Sequence, residues 1–366
     1  MAGRSSDADV IVIGAGIHGS ATAASLARRG RRVIAIDRFA VDHVRGSSHG
    51  RTRMIRRAYP NPVWNDLVDR AFRGWESLER ETGQTLLHIT GGLYAHAGES
   101  QLQGPDCVLV EDRAELERLM PDFRVPDGYR AVYDPHAGVV EASRGLAALR
   151  AVAEGHGADL RFDERLLGWD AIGDGVEVRT DAGTLRADRL VIAAGAFAAS
   201  IVPQLAPLLE VWRILTVTVA PGQKRGRPPG LGAFSVDREG GLVFGIPDAD
   251  GNGVKLGVDA RRVWDPEVAV AAPTDAEVAE MLALLSEYVP GLDHRDLEAT
   301  ACLYTMTEDK RFIIGPLAET PQVVVVSACS GHGFKFAPAI GDAAADLADG
   351  IARDDLAFVS TARRGI

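Results

Sequence analysis

Residues Asp9–Gly19 read D-V-I-V-I-G-A-G-I-H-G, and this stretch constrains the fold more than any other. Val10–Ile13 is a short, apolar, β-branched run, long enough for a buried strand and far too short to span a bilayer. It leads into Gly14-x-Gly16-x-x-Gly19, after which Ser20–Arg29 takes up small-residue helical spacing. Each glycine meets a steric demand. Gly14 makes the tight turn, Gly16 lets the backbone approach a pyrophosphate, and Gly19 lets helix and strand pack closely. The helix start, with Ile17 and His18, then offers free N–H groups and a dipole that favour phosphate charge. Arg32–Ile36 is a second apolar strand ending in Asp37 and Arg38, close to the ~20-residue spacing of an acid that binds a ribose. Strand, glycines, helix, strand and acid together define a dinucleotide site. Asp37 favours an unphosphorylated adenosine ribose, which both FAD and NAD carry.

The 366 residues suffice for two domains, interleaved or in series. A net charge of −11 argues against a nucleic-acid partner. Met1–Asp7 is a short polar lead-in, and neither a signal peptide nor a membrane span is visible. Cys107, Cys302 and Cys329 are an odd set without CxxC spacing, which fits a reducing cytoplasm and argues against zinc; no metal site is expected. Of 40 basic residues only Lys224, Lys255, Lys310 and Lys335 are lysine, so each lysine in an apolar or glycine-lined setting stands out.

Beyond Asp37 the spacing predicts a long polar loop over 38–59, holding G-S-S-H-G-R-T-R-M-I-R-R-A-Y, and such loops are usually functional. An amphipathic helix is expected over 64–82, a strand pair bent at Gly91-Gly92 over 86–95, and helices over 113–120 and 141–154. Short strands follow at 158–161, 165–171, 176–180 and 183–186. Ala187–Phe197 then repeats the opening pattern of strand, small-residue turn and helix, as the second half of a doubly wound domain would. Strands at 210–220, 231–236, 241–247 and 253–260, separated by Gly/Pro/Asp turns, read as an antiparallel sheet. A helix over 275–288, strands at 301–304, 312–314 and 323–327, and a last helix over 334–347 complete the chain.

Three later segments carry chemistry. Ser330-Gly331-His332-Gly333-Phe334-Lys335-Phe336 follows an apolar strand and opens a helix, placing Lys335 where a reduced flavin's negative charge would be stabilised. Cys302 lies in C-L-Y-T, and Lys255 in G-N-G-V-K-L-G. Strand alternation puts Lys255, Gly257 and Asp259 on one face and Val254, Leu256 and Val258 on the other.

The fingerprint, H-G-R-T-R-x-I-R, C-x-Y-T and S-G-H-G-F-K-F occur in this order nearly end to end. In this the chain resembles the monomeric sarcosine oxidase and N-methyltryptophan oxidase family of flavoprotein amine oxidases. The resemblance implies an α/β fold: a Rossmann-like FAD-binding domain (1–88, 141–208 and 302–366) with an interleaved substrate domain built on an antiparallel β-sheet (89–140 and 209–301). It implies FAD held covalently through Cys302, and contacts from Ser47, His49, Thr52, Arg53, Leu166, Ala194, Gly195, Gly331, Gly333 and Phe334. Arg56 and Lys335 match the pair that grips a substrate carboxylate, with Tyr304 and His332 beside the pocket. Lys255 matches the lysine that speeds O₂ reduction, and Thr52 and Arg53 match residues against the flavin.

Two positions depart from the family pattern. A histidine follows the active lysine by four residues in sarcosine oxidases, where this chain has Asp259; a tyrosine precedes it by eleven, where this chain has Phe244. The expectation is therefore a monomeric cytoplasmic oxidase of a secondary or N-substituted α-amino acid other than sarcosine, with O₂ as acceptor. A dehydrogenase serving a protein acceptor and a non-catalytic flavin-binding subunit are the alternatives. Asp259 has two candidate partners: a donor on the substrate, or Arg261 on the same strand face.

Overall fold

The computed structural model describes residues 6–98, 100–219, 230–249, 251, 253–290 and 297–366. Lys224 and most of the polar lead-in lie outside the described residues.

The first sheet is organised by β1 (Ala8–Ile13), which runs parallel to β2 (Val33–Ile36) on one side and to β12 (Gly183–Ile192) on the other. Beyond β2 lies the parallel β9 (Asp159–Arg161), and beyond β12 the parallel β19 (Val323–Ser327), followed by antiparallel β18 (Ile313–Pro316). The central strands β1, β2 and β19 are apolar along nearly their whole length because both faces are covered. Val10 and Val12 pack among the helices α1 (Ile17–Arg28), α4 (Ala142–Gly155) and α7 (Ala337–Ala348), while Ile11 and Ile13 enter a second apolar cluster on the other face. The sequence pattern divides β12 in two, at 183–186 and 187 onward; the structure has one strand. Its first half pairs with the antiparallel ribbon β10 (Leu166–Ile172) and β11 (Gly175–Thr180), and its second half enters the parallel sheet. The helix expected after it is a turn at Gly195–Phe197 and the four-residue α5 (Ala198–Ile201).

The second sheet has the order β17 (Leu297–Met306), β13 (Glu210–Val219), β16 (Val254–Asp259), β15 (Leu242–Ile246), β14 (Ala233–Val236), β5 (Gly92–His96), β7 (Arg130–Asp134), β6 (Val108–Val110). Its pairings are antiparallel except β14 with β5. One face packs under α6 (Asp275–Tyr288) and α3 (Arg113–Leu119), burying Val254 and Leu256. Alternation therefore turns Lys255, Gly257 and Asp259 to the opposite face.

A small third sheet, β3 (Thr52–Ile55), β8 (Gly138–Glu141) and β4 (Leu87–Ile89), packs against α4 and shares an apolar cluster with α2 (Asn65–Thr82) through Ile55 and Val140. It corrects two expectations. The loop over 38–59 contains β3, hidden because Arg53 interrupts a four-residue run. Residues 86–95 are not a strand pair, since β4 joins β8 while β5 joins the second sheet. Three expected domain boundaries also fall inside strands: 88/89 in β4, 140/141 in β8 and 301/302 in β17. Cys302 pairs with Ile214 in the antiparallel sheet, so the cysteine assigned to the cofactor domain belongs by hydrogen bonding to the substrate sheet.

Candidate active site

A cavity of about 950 Å³ runs from the glycine turn after β1 to the turn before α7. At its first end Gly14 has φ +96°, and a Cβ there would lie 2.6 Å from the Ala193 carbonyl oxygen. A Cβ on Gly19 would lie 1.7 Å from the Gly14 carbonyl oxygen, so the helix can approach the turn only as glycine. Gly16 caps α1 in extended conformation, and the Ser48 hydroxyl accepts from the Ile17 N–H at 3.0 Å. Asp37 accepts from the backbone N–H of Ala15 at 2.8 Å and of Phe39 at 3.0 Å, which fixes its carboxylate at the cavity wall. Gly14, Gly16, Ile17 and His18 all line this end. Burial lowers the His18 pKa to about 4, so the ring is neutral.

Two residues here are not picked out by the sequence motifs. Ser48 is one; Ser47, named instead, lines the cavity but donates its hydroxyl to the Leu303 carbonyl. Arg150 is the other. It lies buried on α4, donates to the Ala15 carbonyl oxygen at 2.8 Å and pairs with Asp42 at 3.1 Å, placing a cation beside the glycine turn. Its signal is a single arginine among the apolar residues Leu146, Leu149 and Ala153. Further along, Arg38 forms a forked pair with Glu267, both contacts 3.0 Å, and its guanidinium lies 4.8 and 4.7 Å from the Phe39 and Phe197 rings. Leu166, Ala194 and Gly195 line the same part.

At the other end Arg53, His49, Tyr304, Gly331, Gly333 and Phe334 close the cavity. Arg53 is held by three carbonyl oxygens, of Ser47 (2.8 Å), His49 (2.6 Å) and Thr52 (2.8 Å), and sits 5.4 Å from the Phe334 ring. Arg53, His49 and Gly50 also border a second cavity of about 160 Å³, which holds Thr52, Lys255 and Cys302. Lys255 Nζ lies 3.8 Å from where a Cβ on Gly50 would sit. Burial, then the Arg53 charge, pushes the Lys255 pKa down to about 7. Burial raises the Cys302 thiol, against the pull of Lys255 and Arg53. Burial, then Arg53 and Lys255, lowers His49 to about 4.

A third group surrounds Tyr59, which ends the loop stretch quoted above, three residues after Arg56, but is not singled out by it. The Arg56 guanidinium lies 5.2 Å from the Tyr59 ring and 4.8 Å from the Tyr94 ring. Lys335 is buried and donates to the Tyr59 hydroxyl at 3.2 Å and to the His332 carbonyl oxygen at 2.9 Å. His332 meets the Tyr59 hydroxyl through Nδ1 at 3.3 Å and the Lys310 carbonyl oxygen through Nε2 at 2.9 Å. A carbonyl oxygen can only accept, so the His332 proton resides on Nε2 and Nδ1 of the neutral ring accepts from the Tyr59 hydroxyl. Burial, then Lys335, drives the His332 pKa to about 3, which agrees with that neutral ring. Burial, then Arg56, holds Lys335 well below the ordinary lysine range.

Phe244 packs across Gly257, where a Cβ would meet its ring at 2.4 Å, and separates Lys255 from Asp259 along the sheet. Asp259 does not pair with Arg261, which is forked onto Glu210 at 2.7 Å through Nε. That removes the salt-bridge candidate. Among the described residues no group of His, Cys, Asp and Glu side chains is arranged to hold a metal, and no helix is long and apolar enough to cross a membrane.

Residues 9–347 match the family model described as DAO, FAD dependent oxidoreductase. The chain belongs to this family. A monomeric sarcosine oxidase from Streptomyces avermitilis is 34% identical over 93% of each chain. An N-methyl-L-tryptophan oxidase from Yersinia pestis is 31% identical over 93% of this chain and 94% of its own. The resemblance read from the motifs therefore holds along the chain. Among solved structures, NikD, an unusual amino acid oxidase essential for nikkomycin biosynthesis, superposes with a TM-score of 0.82 at 24% identity, covering 96% of this chain and 97% of its own. L-proline dehydrogenase from P. horikoshii gives 0.82 at 20% identity over 98% of each chain. Both confirm the Rossmann-like fold with its antiparallel partner sheet. The site fits the FAD this family uses: the glycine turn, the start of α1 and the anchored Asp37 line one end of a long cavity that continues to Arg53 and Phe334.

Proposed function

We propose that this protein is an FAD-dependent oxidase of a secondary or N-substituted α-amino acid other than sarcosine, a cytoplasmic monomer with its cofactor attached through Cys302. The observation that carries this reading is the meeting of Lys255, Cys302 and Arg53 on one small cavity, with Arg53 shared by the large one. Bound FAD supplies two-electron oxidation of a C–N bond to an imine and reduction of O₂ to H₂O₂.

The remaining work falls to side chains. Gly14–Gly19, Ser48 and Arg150 hold the phosphates, Asp37 the ribose, and Arg38 the adenosine end. Arg56 presents a planar fork of donors and Lys335 a compact charge, a pairing suited to a carboxylate held in one pose. Tyr59 and His332 fix the position of Lys335 Nζ, so the clamp is set before substrate arrives. On the Cys302 side, the Lys255 cation stabilises negative charge developing on oxygen. Three free cysteines, Cys107, Cys302 and Cys329, suit a reducing compartment.

The test is anaerobic titration of the purified yellow protein with N-methyl and cyclic amino acids, followed by admission of air. Bleaching by an amino acid, with colour returning as H₂O₂ accumulates, is the expected result. Bleaching that O₂ does not reverse would favour the dehydrogenase, and no bleaching by any amine would leave only a flavin-binding role.

A further inference from the structure

We propose that Asp259 selects the substrate, receiving a cationic or N–H donor group that the substrate carries in addition to its carboxylate and the amine that is oxidised. The inference rests on the oxidase reading above and narrows its substrate class.

Asp259 lies on the face of β16 turned away from the apolar core under α6. Its Oδ2 comes within 3.4 Å of the point a Cβ on Gly331 would occupy, and the Tyr304 ring within 2.8 Å of the same point. Gly331 and Tyr304 both line the large cavity, and the carboxylate lies directly behind these two lining residues. Oδ1 is buried and has no hydrogen-bond partner among the described residues. A carboxylate oxygen taken from water without a donor is costly, and the cost disappears when a donor arrives.

The neighbouring cations do not fill this role. Arg261 is committed to Glu210. The Lys310 charge reaches Asp259 but is outweighed by burial, which lifts the carboxyl to about 6. Arg56 and Lys335 are gathered around Tyr59 and suit the substrate's own carboxylate. Phe244, its ring tip over Gly257, puts an apolar side chain between Lys255 and Asp259 on this face of the sheet, which suits a methylene chain. A substrate that meets the clamp at one end and a lone carboxylate at another is an N-substituted amino acid bearing a second ammonium, guanidinium or N–H donor.

The experiment compares matched pairs on the holoenzyme by anaerobic flavin bleaching. N-methyl diamino acids with two to four side-chain methylenes, and N-(ω-aminoalkyl)glycines of the same lengths, are set against isosteres ending in methyl. The expected kcat/KM ratio within the best pair is about ten- to a hundredfold in favour of the ammonium, the range of a charge-assisted hydrogen bond. Asp259→Asn collapses that ratio to about one, and Asp259→Ser does the same should the amide variant fold poorly. Binding is read separately by spectral titration with 5-aminopentanoate against hexanoate, where the same preference appears and is lost in the variant. No preference at any length, a preference that survives Asp259→Asn, or an equal loss on both members of each pair would overturn the inference while leaving the oxidase intact. Absence of bleaching by every compound would overturn the oxidase reading and this inference with it.

Discussion

At the scale of single residues, the roles proposed for Lys255 and Tyr59 can be tested separately. With its pKa near 7, Lys255 is a cation below that pH and neutral above it. Reoxidation by O₂ should therefore slow as pH rises through about 7, and Lys255→Met should slow it ~10²-fold and abolish that pH dependence. Stopped-flow mixing of reduced enzyme with oxygen measures both; an unchanged rate in the variant would contradict the role. Tyr59→Phe removes the hydroxyl that accepts from Lys335 and donates to His332. KM for carboxylate substrates should rise about tenfold, with reoxidation unaffected. Cys302→Ala should yield protein whose flavin stays in the supernatant after acid precipitation, whereas the parent pellet remains yellow. A colourless parent pellet would refute covalent attachment.

At the scale of elements, the turn between β19 and α7 depends on glycine for space. A Cβ on Gly333 would sit 2.1 Å from the Ala328 carbonyl oxygen, a backbone atom that cannot move aside. Gly333→Ala should displace His332 and Lys335 together, lowering the melting temperature of the holoenzyme and raising KM for carboxylate substrates; unchanged values would show that the turn adapts. How much of this is legible in sequence depends on whether the interacting groups lie close along the chain. The fingerprint is readable because strand, glycines and helix are contiguous and each glycine answers a local steric demand. The faces of β16 are readable because alternation assigns them without reference to any partner. The Lys335–Tyr59 contact spans 276 residues and leaves no local trace beyond two polar residues in apolar company. β3 and β8 are obscured because each is only four residues long and their pairing partner, not their composition, makes them strands. Arg150 looks like helix surface until α4 is packed beside the glycine turn.

At the scale of the whole molecule, buried neutral imidazoles tie stability to pH. His18 and His332 are driven from an ordinary 6.5 to about 4 and about 3, in both cases chiefly by burial. Between those values and 6.5 the unfolded chain binds protons that the folded chain refuses, so stability falls as pH falls through 6.5. Each histidine costs on the order of 2 kcal/mol by pH 5. The urea midpoint should drop clearly between pH 7 and pH 5, and His332→Asn should reduce that drop; a midpoint indifferent to pH would refute the burial argument. The placement of Lys255 and Asp259 on one strand has a different kind of consequence, for inheritance. Val254 and Leu256 lock β16 into the apolar core, so inserting a single residue between them would turn the downstream side chains to the wrong face. Exchanges at Phe244 and Asp259 disturb no such register. Substitution at the Asp259 end of β16 can therefore alter what the site accepts while leaving the placement of Lys255 at the other end unchanged.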